Sequence, residues 1–336
     1  MKAAQISKAG ADFELVDLPK PEPAADEVLI KIEACGICHS DAFVKDGLFP
    51  GIEYPRVPGH EVVGTIELTG SDVSMWQTGA RVGVGWHGGH CFTCDPCRNG
   101  DFINCQNGKI SGISYNGGYA EYMVAPQEAI AAVPDELSSA EAAPLLCAGI
   151  TTFNSIRNAG AKPGDLVAVQ GIGGLGHLAV QYAAKMGYRV AAISTSNDKK
   201  SLALELGAHH FINAKEQDAA EELQNLGGAR LIVATAPNSA AISSVVGGLG
   251  VDGNLLILAA TGEAVEVSPL SLIMGRKSVS GWPSGTARDS EDTLNFSALT
   301  GTKPLIETYP LEKVAEAYDR MINNEARFRV VLTMNQ

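Results

Sequence analysis

From Val28 to about Val133, apolar and polar positions alternate in short runs broken by glycine and proline. The runs at 27–33, 61–68, 80–85 and 118–124 predict strands of a mainly β, irregular domain. Pro19, Pro21 and Pro23 mark an extended connection within it. Near Pro144 the rhythm changes. A helical pattern at 151–159 is followed by a strand at 166–170, a helix at 176–186 and a strand at 189–193. A helix at 199–206 and strands at 211–212, 231–234 and 254–258 continue the alternation. Strands separated by helices predict an α/β fold with a doubly wound parallel sheet. After Trp282 come two helical stretches, 289–299 and 311–323, and a final strand at 328–333. This tail is expected to return to the first domain.

Composition narrows the classes. The chain has 336 residues, too many for one typical core, so two domains are expected. The net charge of −13 repels a phosphate backbone, which argues against nucleic acid as a partner. No apolar run reaches the length of a membrane span. Residues 1–10 lack a charged stretch leading into an apolar one, so no signal peptide is expected. Seven cysteines is an odd number, and four crowd together, which fits metal ligation in a reducing, cytoplasmic setting better than disulfides.

Those four are Cys91, Cys94, Cys97 and Cys105, spaced C-x2-C-x2-C-x7-C among turn-forming residues. Four thiolates gathered by turns make the closed tetrahedral cage of structural zinc. His87 and His90 flank the cage and read as surface or pocket-edge residues, since the thiolates already satisfy one metal. Elsewhere Cys38, His60 and Cys147 supply a Cys2His set, the three-ligand pattern of catalytic zinc with a fourth position left for chemistry. Asp41 is placed to orient the His60 imidazole from behind. Cys35 reads as a small core residue.

Directly after the strand at 166–170 comes Gly171-Ile172-Gly173-Gly174-Leu175-Gly176. The first glycine permits the turn, the second lets a pyrophosphate approach the backbone, and the third lets helix pack on strand. The helix N-terminus then faces the anion. Where an acidic residue would hold an unphosphorylated ribose, this chain has Ser194, Thr195 and Ser196, followed by Lys199. Small hydroxyls and an ammonium suit a 2′-phosphate, so NADP(H) is expected over NAD(H).

Taken together, Cys38-His39-Ser40-Asp41, Gly59-His60-Glu61, the four-cysteine lobe, Cys147-Ala148-Gly149-Ile150-Thr151 and the Gly171–Gly176 loop resemble the zinc-dependent medium-chain alcohol dehydrogenases over essentially the whole chain. The resemblance implies a Rossmann sheet plus a mainly β, GroES-like catalytic domain with a structural zinc lobe. Residues 1–147 and 285–336 would form the catalytic domain and 148–284 the dinucleotide-binding one. It implies two zinc ions per chain. Cys38, His60 and Cys147 would be catalytic ligands, with Glu61 able to approach the metal. Ser40 would hydrogen-bond the substrate oxygen. His39 and Arg329 would contact the pyrophosphate, and Thr151 would pack on the nicotinamide. Phe49 and Trp86, with Leu48, Ile110 and Trp282, would wall the substrate space. The position that often holds a relay histidine is Phe43, which carries no proton. The implied activity is hydride transfer between the cofactor and a primary alcohol or aldehyde, in a homodimer or homotetramer. A cinnamyl-alcohol-type aromatic aldehyde reductase is the alternative within the family. A non-catalytic zinc-stapled dinucleotide sensor is the alternative outside it.

Overall fold

The computed structural model describes residues 1–334. Contacts divide the chain into two compact units, Met1–Ile150 with the segment from Ser284 onward, and Thr151–Pro283. The divisions lie three residues after and one residue before the boundaries expected from sequence. The first falls inside a continuous helix, Ala148–Asn158, which runs on through Gly149 without a break.

In the first unit a seven-stranded sheet is built around the strand Glu27–Ile37. This strand is buried along most of its length, which fits its apolar run Val28, Leu29, Ile30 and Ile32 and its small, buried end Ala34-Cys35-Gly36. It pairs antiparallel with Val62–Thr69, with Arg329–Thr333 and, through its first half, with Tyr122–Pro126. Ile306–Pro310, Arg81–Val84 and Ile130–Ala132 complete the sheet. The chain's last strand thus lies beside one of its first. The helix Val314–Ile322 buries Val314, Ala317, Tyr318 and Met321 at i, i+3, i+4 and i+7 against this core.

The strand expected at 118–124 begins only at Tyr122. Residues 117–119 instead fold onto the segment before His60, where Gly118 and Tyr119 donate to the carbonyls of Gly59 and Pro58. A Cβ at Gly117 would come within 2.1 Å of the Gly59 oxygen, so only glycine allows this approach.

The second unit is a six-stranded, all-parallel sheet. Its order is His210–Asn213, Arg189–Ser194, Leu166–Gln170, Ala229–Ala234, Leu249–Ile257, Ser278–Gly281. Strand order reverses beside Leu166–Gln170, the switch point at which open α/β sheets bind dinucleotides. Every residue of that strand is buried. The edge strand Ser278–Gly281 is mostly exposed and largely polar, and so carried no apolar signal in the sequence.

Candidate active site and metal centres

The four-cysteine lobe closes as its spacing suggests. The Sγ atoms of Cys91, Cys94, Cys97 and Cys105 lie within 4.8 Å of one another. Cys105 is 3.5 Å from Cys91 and 3.8 Å from Cys94, sulfur to sulfur. Tetrahedral zinc with Zn–S near 2.3 Å would set its sulfurs about 3.8 Å apart, so the cage has the right size. Two of its sulfurs receive hydrogen bonds that suit an anion, while burial pushes the Cys97 thiol up to about 12. The amides of Cys91 and Asn107 point at Cys105 Sγ, and Thr93 and Asn107 side chains donate to Cys91 Sγ. Those bonds draw the Cys91 thiol down to about 5. Phe92 takes a left-handed backbone (φ 60°) to turn the chain between the first two ligands.

His87 corrects the reading from sequence. It is a buried residue, 6% exposed, with its Nε2 3.1 Å from Nδ1 of His90. Burial, aided by His90, lowers its pKa to about 4, so the ring is neutral at ordinary pH. His90 stacks on Phe102 at 4.2 Å.

The second constellation is drawn from three separated segments. Cys38 follows the long strand Glu27–Ile37, His60 precedes Val62–Thr69, and Cys147 ends the turn Ala143–Leu146. One donor atom from each, with one from Glu61, lies within 4.8 Å of the others. The two sulfurs are 3.7 Å apart, again a zinc-sized separation. His60 Nδ1 sits 3.2 Å from Asp41 Oδ1. Its Nε2 is buried with no hydrogen-bond partner among the described residues, as is Glu61 Oε2. A buried imidazole nitrogen left empty beside two thiols is what a missing cation would complete. Asp41 Oδ2 meanwhile accepts from the Cys38 amide at 2.8 Å and the Tyr119 hydroxyl at 2.7 Å.

Electrostatics agree with the donor set. Cys38 is held well below the ordinary thiol range, by the hydrogen bond from Cys147 and by His60. Burial opposes protonation of His60, but Asp41 and Cys38 outweigh it and raise its pKa. Glu61, fully buried, is pushed up to about 7 by desolvation, with Arg329 pulling the other way. Cys147 is pushed well above the ordinary thiol range by its hydrogen bond to Cys38 and by burial, so it would give up its proton only on binding a cation, and Arg329 offsets Glu61.

The remaining expected residues divide by location. Ser40 Oγ lies 3.7 Å from Cys38 Sγ, and the residue is half-buried. Trp86 packs edge-on against His60 with centroids 5.0 Å apart, and Phe49 packs on Trp86 at 6.4 Å. Ile110 pairs with His87 in a short ribbon, while Leu48 is exposed. His39 is exposed. Arg329, expected on the pyrophosphate, has its guanidinium buried, with Nη2 donating to Glu61 and to the Ile37 carbonyl. Phe43 lies on the short helix Asp41–Lys45, where no proton can pass through it.

In the second unit, Gly171 has φ of +93°, and a Cβ on Gly176 would strike the Gly171 oxygen at 1.9 Å. Gly173, Gly174 and Leu175 are half-exposed, and a Cβ at Gly173 would meet nothing within 4 Å. Lys199 Nζ donates to the Ile172 carbonyl at 2.8 Å, which brings its charge to the glycine loop. Ser194 is buried at the end of its strand, Thr195 is exposed, and Ser196 Oγ caps the next turn. Thr151 is half-buried on its helix.

Comparison with known proteins adds a family match. The model described as "Alcohol dehydrogenase GroES-like domain" matches residues 24–135, and "Zinc-binding dehydrogenase" matches 174–298. An alcohol dehydrogenase of Penicillium expansum is 47% identical over 333 residues, covering 99% of this chain and 97% of the relative. A cinnamyl alcohol dehydrogenase structure from Sorghum bicolor superposes with TM-score 0.90 at 30% identity, covering 99% and 97% of the two chains. A structure named CAD from Helicobacter pylori, complexed with NADP(H), gives 0.87 at 28%, covering 99% and 97%.

Proposed function

The chain belongs to the zinc-dependent medium-chain alcohol dehydrogenases, and on that premise we propose that Cys38, His60 and Cys147 hold its catalytic zinc while Cys91, Cys94, Cys97 and Cys105 hold a structural one. The observation that carries this reading is the unpartnered His60 Nε2 beside two sulfurs 3.7 Å apart. Three ligands leave a position for substrate, whereas the four-thiolate cage is closed. In this reading residues 1–147 and 285–336 do the chemistry and 148–284 bind the dinucleotide.

When bound, zinc supplies Lewis acidity, which acidifies an alcohol or polarises a carbonyl. The nicotinamide, when bound, accepts or returns the hydride. The chain's own residues do the rest. Asp41 holds His60 through Nδ1 and so commits Nε2 to the metal. Ser40 takes the hydroxyl proton of an alcohol, or returns one to an alkoxide in the reverse direction. Phe43 gives that proton no onward path, so it leaves by a cofactor ribose hydroxyl or water. Glu61 and Arg329 form a buried ion pair beside the donors that would hold the metal.

The Gly171–Gly176 loop binds pyrophosphate, aided by His39, and Thr151 backs the nicotinamide, while Arg329 is spent on Glu61. Lys199, lying on the loop, and the Ser194, Thr195 and Ser196 hydroxyls favour NADP(H). The substrate is a primary alcohol or aldehyde. Trp86 and Phe49, flat and apolar beside His60, favour unbranched or aromatic chains over charged acids. The same aromatic wall, with the Sorghum bicolor neighbour, supports an aromatic aldehyde reductase as the second reading. Seven free cysteines fit a reducing, cytoplasmic setting. Among the described residues no helix is long and apolar enough to cross a membrane.

A homodimer or homotetramer is supported by the edge strand Ser278–Gly281, whose outer side has no partner strand among the described residues. Leu270, Ile273, Met274 and Val279 are exposed close to it in sequence. A second copy would cover both.

The deciding experiment is zinc analysis with turnover of NADPH and NADH against aromatic and short aliphatic aldehydes. Two zinc ions per chain, falling to one with loss of turnover in Cys38→Ala, are expected. Unchanged metal content and turnover in that variant would sink the assignment.

A further inference from the structure

Tyr119 is not one of the grouped donors. It is fully buried, and its hydroxyl donates to Asp41 Oδ2 at 2.7 Å across 78 residues of chain. Resting on the zinc assignment above, we infer that Tyr119 is a positioning residue for the catalytic metal, acting through Asp41 on His60.

Asp41 is 1% exposed, so water does not complete its hydrogen bonding. Its carboxylate has three donors around it. Oδ2 takes the Cys38 amide and the Tyr119 hydroxyl, and Oδ1 faces His60 Nδ1. The amide fixes one oxygen at one point only. The phenol supplies the second contact that stops the carboxylate from rotating, and so sets where Oδ1 holds the imidazole. Burial, reinforced by Asp41, raises the Tyr119 pKa well above its ordinary value, so the group stays a donor.

The phenol is itself held rigidly. Tyr119 N donates to the Pro58 carbonyl at 3.0 Å, and its own carbonyl accepts from Ala4 at 2.7 Å. Its ring lies against Gly59, where a Cβ would come within 2.5 Å of it. Gly59, at φ +102°, is the residue before His60, so ligand and support are locked together. A buried tyrosine needs one partner for its hydroxyl, and a backbone carbonyl would serve. This one is spent on the carboxylate that orients a ligand.

The test compares the zinc-loaded wild type with Tyr119→Phe, Asp41→Asn and the double variant, titrated with a chelator. Metal in the four-cysteine lobe serves as an internal control for folding. Tyr119→Phe should bind the catalytic metal about tenfold more weakly, the lower end of the range for such supports, with the lobe metal unchanged. In the Asp41→Asn background it should cost nothing further, because the two act in series. Wild-type affinity in Tyr119→Phe, or additive losses in the double variant, would overturn the inference. Should Tyr119→Phe lose the lobe metal too, 3-fluorotyrosine at 119 keeps the bond and alters its strength. Visible bands of the cobalt-substituted site should then shift, and bands at the wild-type position would refute the role. A wild type that binds no metal at Cys38, His60 and Cys147 would instead defeat the underlying zinc assignment.

Discussion

Replacing Arg329 with methionine leaves Glu61 alone in the interior. Both side chains are buried, Arg329 at 6% exposure and Glu61 at 0%. In the metal-free protein the Glu61 pKa is raised from 4.5 to about 7, because burial outweighs the attraction of Arg329. The sign follows from linkage. A raised pKa means that between pH 4.5 and 7 the folded chain holds a proton that the unfolded chain has released, so stability falls as pH rises. A shift from 4.5 to about 7 corresponds to roughly 3 kcal/mol, fully present below pH 4.5 and lost above 7. Arg329 lowers the Glu61 pKa, so its removal moves the upper limit of this window to more alkaline pH. Breaking a buried pair costs about 3–5 kcal/mol where the remaining charge cannot escape by neutralisation. Urea unfolding of metal-free wild type, Arg329→Met, Glu61→Gln and the double variant at pH 5, 7 and 9 reads these terms. Arg329→Met should approach the full penalty at pH 9 and a smaller one at pH 5. Adding Glu61→Gln should restore most of the loss at pH 9. A penalty flat across pH, or no rescue by Glu61→Gln, would refute the reasoning.

Three further outcomes can be measured. Ser194→Asp places a carboxylate at the end of its strand, and should shift the ratio of kcat/KM for NADPH over NADH about tenfold or more toward NADH; an unchanged ratio would exclude the 2′-phosphate reading. Cys105→Ser removes a ligand that two amides also address. It should cost one zinc per chain and open the segment from Cys91 to Cys105 to protease, checked by metal analysis and digestion. His87, lowered to about 4, stays neutral when folded, while the unfolded chain takes up a proton below pH 6.5. Stability should therefore fall by up to about 3 kcal/mol as pH drops from 6.5 to 4, and His87→Gln should flatten that slope in unfolding measurements.

How far the sequence could be read depended on the distance over which each feature is encoded. The cysteine cage was legible because its four ligands share one short segment, where spacing alone limits geometry. The parallel sheet was legible because apolar strands such as Leu166–Gln170 alternate with helices, a periodicity that needs no tertiary knowledge. The edge strand Ser278–Gly281 escaped because an exposed edge has no burial to impose a pattern. Cys38 and Cys147 could be named as donors, but 109 residues separate them, and spacing over such a length says nothing of approach. The Glu61–Arg329 pair spans 268 residues and was missed for the same reason, although each residue had been singled out alone. Tyr119 and His87 look like any aromatic or ring residue in a strand-like run, and only the fold distinguishes them.

The two metal centres therefore pose opposite physical problems. Cys91 to Cys105 form a local loop with a short helix of four residues, Asp95–Arg98, and a single turn, Phe102–Asn104. In the zinc reading a cation ties this segment together, and backbone amides aimed at sulfur are the preparation the chain provides. The second centre is built from the ends of elements that the sheet core already fixes. Cys38 follows a strand whose last four residues are all buried, and His60 is tied to Asp41, which is tied in turn to the Cys38 amide and Tyr119. Each of these side chains is held by the surrounding fold, and His60 Nε2 and Glu61 Oε2 are buried with no hydrogen-bond partner among the described residues. If, as proposed, Cys38, His60 and Cys147 keep one coordination position for substrate, the protein matrix has to supply there the rigidity that a closed four-thiolate cage would obtain from its ion.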